Sequence, residues 1–172
     1  MCGSTPTTRR DPRYHAVVST RIRITDVSPR DGLQNEPGVI PTADKVRLVG
    51  LLSTTGVNEV EVSSFVSAKW VPQLGDAAEV FESLNSPSQR EWVGEQADSP
   101  SLSALVPNER GIQAALEVNA KAGRKLISKV SVFTAASETF SRKNTNASIA
   151  ETIERFRPVV EIARRENLAV RG

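Results

Sequence analysis

Apolar positions along this chain alternate between two spacings. Residues 22–27, "IRITDV", alternate and are β-branched, which predicts a strand. Over 42–56, Val46, Val49 and Leu52 recur at three-residue spacing, and Leu48 and Leu51 widen the stripe. That pattern predicts an amphipathic helix, with Thr42 as its N-cap and Gly56 as its stop. A second strand is predicted over 57–66 and a short helix over 75–86. A third strand spans 101–107 and ends at Pro107. The helix over 108–123 is capped by Asn108 and stopped by Gly123, and a fourth strand covers 127–134. A long helix over 146–168 carries Ile149, Ile153, Phe156, Val160 and Ala163 on one face, with Pro158 inside it as an expected kink. Residues 168–172 open a fifth strand.

The order βαβαβαβαβ implies parallel strands joined by helical crossovers. Residues 1–20 read as a flexible leader, and 21–172 as one domain. The polar stretch 86–101 reads as an exposed insertion before the third strand. A full (β/α)8 TIM barrel takes about 250 residues. The 172 residues here hold the first four β/α units and the start of a fifth strand. The predicted fold class is therefore α/β, the N-terminal half of a parallel TIM barrel. Such a half is expected to present an apolar inner face and two open edges, so the sequence reads as truncated or as one that pairs with another half.

Charge narrows the partners. The chain has 22 basic and 20 acidic residues, a net charge of +2. That balance gives no electrostatic support for nucleic-acid or membrane-surface binding. No apolar run approaches the ~18 residues of a membrane span. The one cysteine, Cys2, excludes an internal disulfide and fits a reducing compartment. The leader has no apolar h-region, so it is not a secretory signal. A cytoplasmic, bacterial-like location is expected, with the mitochondrial matrix as the alternative. Without a secretory route, the sequon at Asn146-Ala147-Ser148 is coincidental.

The chemistry-bearing residues fall at strand ends. Arg30 and Asp31 follow the first strand. Glu61 sits inside the second, between Val60 and Val62, with Ser63 and Ser64 after it. In a parallel barrel the strand C-termini and their loops build the active site, so these groups share one rim. Each also has a plain structural reading. Pro29-Arg30-Asp31-Gly32 has β-turn composition. Asn144 suits a loop or cap, and Lys69-Trp70 a surface cation on an aromatic ring. Glu61 is different, because a buried carboxylate is costly unless paired. It either pairs with an interior cation such as Arg30 or serves a site. Two carboxylates and an arginine from neighbouring strand ends suggest a divalent-metal and oxyanion site. Oxygen ligands suit Mg2+ or Mn2+. An arginine there can stabilise an enolate, as in carbon–carbon cleavage or condensation.

Four segments carry a family resemblance: "SPRDGLQNE" (28–36), "EVSSFVSAKWVPQLGD" (61–76), "AASETFSRKN" (135–144) and "VRG" (170–172). Together they resemble the 3-hydroxy-3-methylglutaryl-CoA (HMG-CoA) lyases. The resemblance implies a metal-dependent TIM-barrel enzyme that cleaves HMG-CoA to acetyl-CoA and acetoacetate. It implies Asp31 as a ligand of Mg2+ or Mn2+ and Arg30 and Glu61 as catalytic residues. It further implies Arg30, Gln34, Ser64, Asn144, Ser148 and Arg171 as contacts to an acyl-CoA substrate, and a homodimer for the complete enzyme. Pro37 departs from the family pattern, where many members carry lysine. The resemblance also implies an H-x-H pair and an asparagine as further metal ligands, and a catalytic cysteine on a Gly-rich loop. The histidine and cysteine of this chain, His15 and Cys2, lie in the leader and cannot replace them. The chain is therefore expected to be inactive alone. Two alternatives remain. The "RDG-x-Q" element is shared with condensing synthases of the isopropylmalate and citramalate type, and the chain could also be a non-catalytic split half-barrel subunit.

Overall fold

The computed structural model describes residues 22–90, 92–93 and 99–172. Its strands are β1 (Thr25–Asp26), β2 (Glu59–Ser64), β3 (Ser101–Leu105), β4 (Ile127–Ser131) and β5 (Ala169–Arg171). Its helices are α1 (Thr42–Ser53), α2 (Ala77–Leu84), α3 (Pro87–Arg90), α4 (Glu109–Ala122), α5 (Glu138–Thr145) and α6 (Ile149–Arg165). The strands form one parallel sheet in the order β1-β2-β3-β4-β5. A doubly wound sheet reverses its order at a switch point. Here each strand is laid beside the one before it, which is the winding of a TIM barrel. The fold is a curled half-barrel of that type.

The two faces of the sheet differ in chemistry. Val60, Val62, Leu102, Ala104, Ile127 and Val130 face the helices and meet Val49, Phe81, Leu84, Ile112 and Val159, all in one core. Each such side chain contributes about 1.5–3 kcal/mol on full burial. The concave face instead carries Glu59, Glu61, Ser103, Lys129, Ser131 and Arg171, linked to one another by hydrogen bonds and ion pairs. The expectation of an apolar inner face is thus overturned.

Two register slips set this arrangement. One lies between Glu61 and Ser63 on β2, and the other leaves Ser128 unmatched between Leu102–Ile127 and Ser103–Lys129. An extra residue shifts strand alternation by one position. The β4 slip keeps Ile127 in the core while Lys129 and Ser131, on one side by ordinary alternation, take the concave face. The β2 slip lets Ser64 line the cavity at the strand ends.

Several expectations held in outline and shifted in detail. Asn108 caps α4 by accepting from Gly111 N at 3.0 Å, and Gly123 ends it at φ 65°. Thr42 is not a cap. Pro41 holds that position, and Thr42 Oγ1 donates to Asp76 Oδ2 at 2.7 Å. The tetrad 29–32 is not a β-turn but part of a π-helical turn. Helix α5 fills the stretch left unassigned between the predicted fourth strand and the long helix, with Ser137 accepting from Phe140 N. On α6 the buried stripe is Thr152, Val159, Ile162 and Ala163, while Ile153 is 52% exposed. The 86–101 segment is not simply exposed. It contains α3, and Val93 is fully buried in the core. The leader, His15 and Cys2 lie outside the described residues.

Candidate active site

The site begins where β1 ends. Asp26 Oδ1 accepts from Ser28 N at 2.8 Å and from Ser28 Oγ at 2.6 Å, which turns the chain out of the strand. Ser28–Gly32 then form a π-helical turn, with Asp31 N donating to Val27 O at 2.7 Å. Single π turns recur at functional sites because they re-aim neighbouring side chains. This one places Arg30 and Asp31 on the rim, directed as follows. Arg30 Nε donates to Glu61 Oε1 at 2.6 Å, and its Nη1 donates to Asp31 Oδ1 at 2.6 Å. Gln34 Nε2 donates to the same Asp31 oxygen at 3.0 Å.

Glu61 is fully buried and fully engaged. Its second oxygen accepts from Ser131 Oγ at 2.5 Å and from Arg171 Nη2. Two cations and a hydroxyl thus offset the desolvation of one carboxylate. Residues 30, 31, 34, 61 and 171 therefore converge, from β1, β2 and β5. One tier deeper, Lys129 pairs with Glu59. Burial pushes the Glu59 carboxyl up, but hydrogen bonds from Lys129 and Ser103, with the charges of Lys129 and Arg171, outweigh it and hold the group below its ordinary 4.5.

Above the rim lies a cavity of about 740 Å³. Arg30, Asp31, Gln34, Ser64 and Asn144 all line it. Ser64 is buried and its hydroxyl has no partner among the described residues. Ser148 is elsewhere. Its hydroxyl accepts from Glu151 N at 3.1 Å while Glu151 Oε2 accepts from Ser148 N at 2.7 Å, a capping box at the start of α6. The substrate contact expected of Ser148 therefore has no geometric support. Phe133, Phe140, Arg155 and Phe156 also line the cavity, and sequence reading missed them. Phe133 falls in the predicted fourth strand and Phe156 on the apolar stripe of the predicted long helix, so both read as core.

The donor set was tested for a divalent ion. Asp31 Oδ2 accepts no hydrogen bond among the described residues, and the side chain is 53% exposed. A free, hard, anionic oxygen fits one ligand of Mg2+ or Mn2+. No group of three or more His, Cys, Asp or Glu suited to a metal exists among the described residues. Asp31 thus fits as a single contributor, not as a complete site.

A sequentially wound parallel sheet with a polar, ion-paired rim at its strand C-termini defines a protein of the TIM-barrel class. A profile of the HMGL-like family matches residues 21–172, and the chain belongs to that family. A 3-hydroxy-3-isohexenylglutaryl-CoA/hydroxymethylglutaryl-CoA lyase of Pseudomonas aeruginosa is 47% identical over 152 residues, 88% of this chain and 45% of that protein. The crystal structure of the HMG-CoA lyase from Brucella melitensis matches with a TM-score of 0.72 at 42% identity, covering 90% of this chain and 48% of that one. An HMG-CoA lyase from Acinetobacter baumannii, solved with coenzyme A and 3-methylmalate, matches with a TM-score of 0.70 at 32% identity, covering 86% and 43%. The chain thus spans about half the length of the relatives it matches.

Proposed function

We propose that this chain supplies the Arg30–Asp31–Glu61 half of an HMG-CoA lyase site, which cleaves a 3-hydroxy-3-methylglutaryl thioester to acetyl-CoA and acetoacetate. The observation that carries this reading is the state of Arg30. Two of its nitrogens are held by Glu61 and Asp31, and Nη2 makes no hydrogen bond among the described residues. A guanidinium fixed on two sides keeps a donor aimed by geometry rather than by chance. It stabilises the thioester oxygen as charge builds there and the carbon–carbon bond breaks. Preorganisation of this kind costs no rearrangement at the moment of reaction.

The other side chains have supporting roles in this reading. Glu61 anchors Arg30 and Arg171. Gln34 holds Asp31 Oδ1, so that Oδ2 is presented to a divalent ion, Mg2+ or Mn2+. Bound there, the ion supplies Lewis-acid polarisation of the substrate oxygens. Ser64 and Asn144 offer polar contacts to the acyl-CoA from the cavity wall. Asp31 is one ligand, and one carboxylate holds magnesium weakly. We therefore infer that residues 1–172 do not turn over substrate unaided and that a complementary β/α half is required. The compartment we infer is a reducing cytoplasm. Among the described residues no helix is long and apolar enough to cross a membrane.

The test is reconstitution. The chain is co-expressed with the C-terminal half of an HMG-CoA lyase, and acetoacetate release is followed with Mg2+ or Mn2+ present. Turnover is expected from the pair and not from 1–172. Arg30→Gln should lower kcat on the order of 10²–10³-fold, the usual cost of one preorganised oxyanion donor. Turnover by 1–172 alone, or an unaffected Arg30→Gln, overturns the reading. The condensing-synthase alternative predicts consumption of acetyl-CoA with a keto acid instead. Sizing chromatography of the reconstituted pair tests the homodimer.

A further inference from the structure

The concave face holds two carboxylates on one strand, Glu59 and Glu61, two residues apart and on the same side of β2. Strand geometry puts their Cα atoms about 6.6 Å apart. Opposite them stand two long cations on adjacent strands. Lys129 on β4 pairs in register with Ala169, and Ser131 pairs with Arg171, so Arg171 sits one inward position above Lys129. Each cation takes one carboxylate: Lys129 goes to Glu59, and Arg171 crosses from β5 to Glu61.

The pairing leaves one acceptor on Glu59 unused. Glu59 is almost wholly buried, and its Oε1 has no hydrogen-bond partner among the described residues. That oxygen is an open seat for a cation. Arg171 is close enough for its charge to act on Glu59. If Lys129 did not neutralise Glu59, the buried carboxylate would be uncompensated, a costly state that draws in the nearest cation. The other cation whose charge acts on Glu59 is Arg171, whose side chain is 34% exposed. Glu61 would then keep only Arg30 and Ser131.

We propose that Lys129 is a positioning residue for the rim site: by occupying Glu59 it keeps Arg171 on Glu61, and through Glu61 it fixes the placement of Arg30 beside Asp31. The inference rests on the reading of Arg30 and Asp31 as the reaction centre. Lys129 itself does not line the cavity. It acts through charge competition two strands away from Glu59, with β3 between them.

The test uses crystal structures of the 172-residue chain carrying Lys129→Met and, separately, Lys129→Met with Glu59→Gln. In the single variant the Arg171 guanidinium is expected to leave Glu61 Oε2 and bind Glu59. In the double variant, which removes the competing charge, Arg171 is expected back on Glu61, with Arg30 Nε again on Glu61 Oε1. Should Lys129→Met not fold, Lys129→Gln removes the charge while leaving a donor for Glu59 and gives the same readout. Arg171 remaining on Glu61 in the single variant overturns the proposal. So does failure of the double variant to restore it. A lysine that served only packing would give no such rescue. Because the readout is the position of a guanidinium, it is independent of any lyase assay. A reconstituted enzyme without turnover would count against the proposed function and leave this result standing.

Discussion

Arg30 Nε and Glu61 Oε1 lie 2.6 Å apart, although 31 positions separate the two residues in sequence. The contact joins the turn after β1 to the middle of β2. Glu61 has no solvent exposure, and Arg30 is 15% exposed. Removing the carboxylate leaves Arg171 without its ion-pair partner and Arg30 with Asp31 alone. Glu61→Gln is expected to destabilise the chain by about 3 kcal/mol, the lower end for a broken buried pair because both arginines retain some water. Arg171→Gln should cost less, since Glu61 keeps Arg30 and Ser131. Urea denaturation of the three proteins checks the order.

Glu59 gives the fold an acid-sensitive contribution. Its carboxyl lies below its ordinary 4.5 in the folded chain, so the folded state binds that proton less readily than the unfolded one. The stabilisation is complete above the ordinary value and is lost as pH falls through the lower, folded value. The unfolding free energy should therefore decline in that acid window. The decline should be shallower in the Lys129→Met, Glu59→Gln double variant, as denaturation at a series of pH values would measure.

Ser148 separates capping from ligand contact. Its hydroxyl is committed to Glu151 N at the start of α6. Ser148→Ala should cost about 1 kcal/mol, the usual price of a lost N-cap. Affinity for coenzyme A, measured by calorimetry on the reconstituted pair, should not change. A large loss of affinity with stability intact would return Ser148 to the substrate site.

Gly111 marks a close approach below the cavity. A Cβ there would stand 2.9 Å from Pro107 Cδ and 3.2 Å from Phe65 O. The proline ring and the backbone carbonyl have little room to yield. Gly111→Ala should destabilise by about 1–3 kcal/mol through overpacking, despite alanine's better helix propensity. Thermal denaturation decides the sign.

Much of this architecture was legible because local and global signals agreed. Asn108 and Gly123 bracket α4 with standard cap chemistry, and sequence placed both. The buried carboxylate at 61 demanded a cation, and Arg30 was the neighbour named. The misses have physical causes. On β4 the pattern Ile127-Ser128-Lys129-Val130-Ser131 looks irregular under strict alternation, because the slip at Ser128 is a tertiary event. Strict alternation puts Ile127 on the face of Lys129 and Ser131, which masks that face as the polar one, and Glu59 was not given a partner. The stripe predicted for helix α6 shares only Ala163 with the buried face, because hydrophobicity alone does not point to Thr152. In the fold its hydroxyl lies 2.6 Å from that of Thr134 and donates to Ile149 O at 2.7 Å, so it is satisfied when buried. Helix α5 is polar nearly throughout, with Ser141 its one buried residue, so periodicity had little to report.

The ionic lining of the sheet's hollow side also bears on how such a chain survives before its site is covered. Oily surfaces left open recruit whatever is near, whereas matched charges tolerate water and reject non-specific neighbours. The edge strand β1 is two residues long, too short to template extended cross-strand growth. A nascent copy thus has a wettable concavity, which favours staying dispersed over clumping.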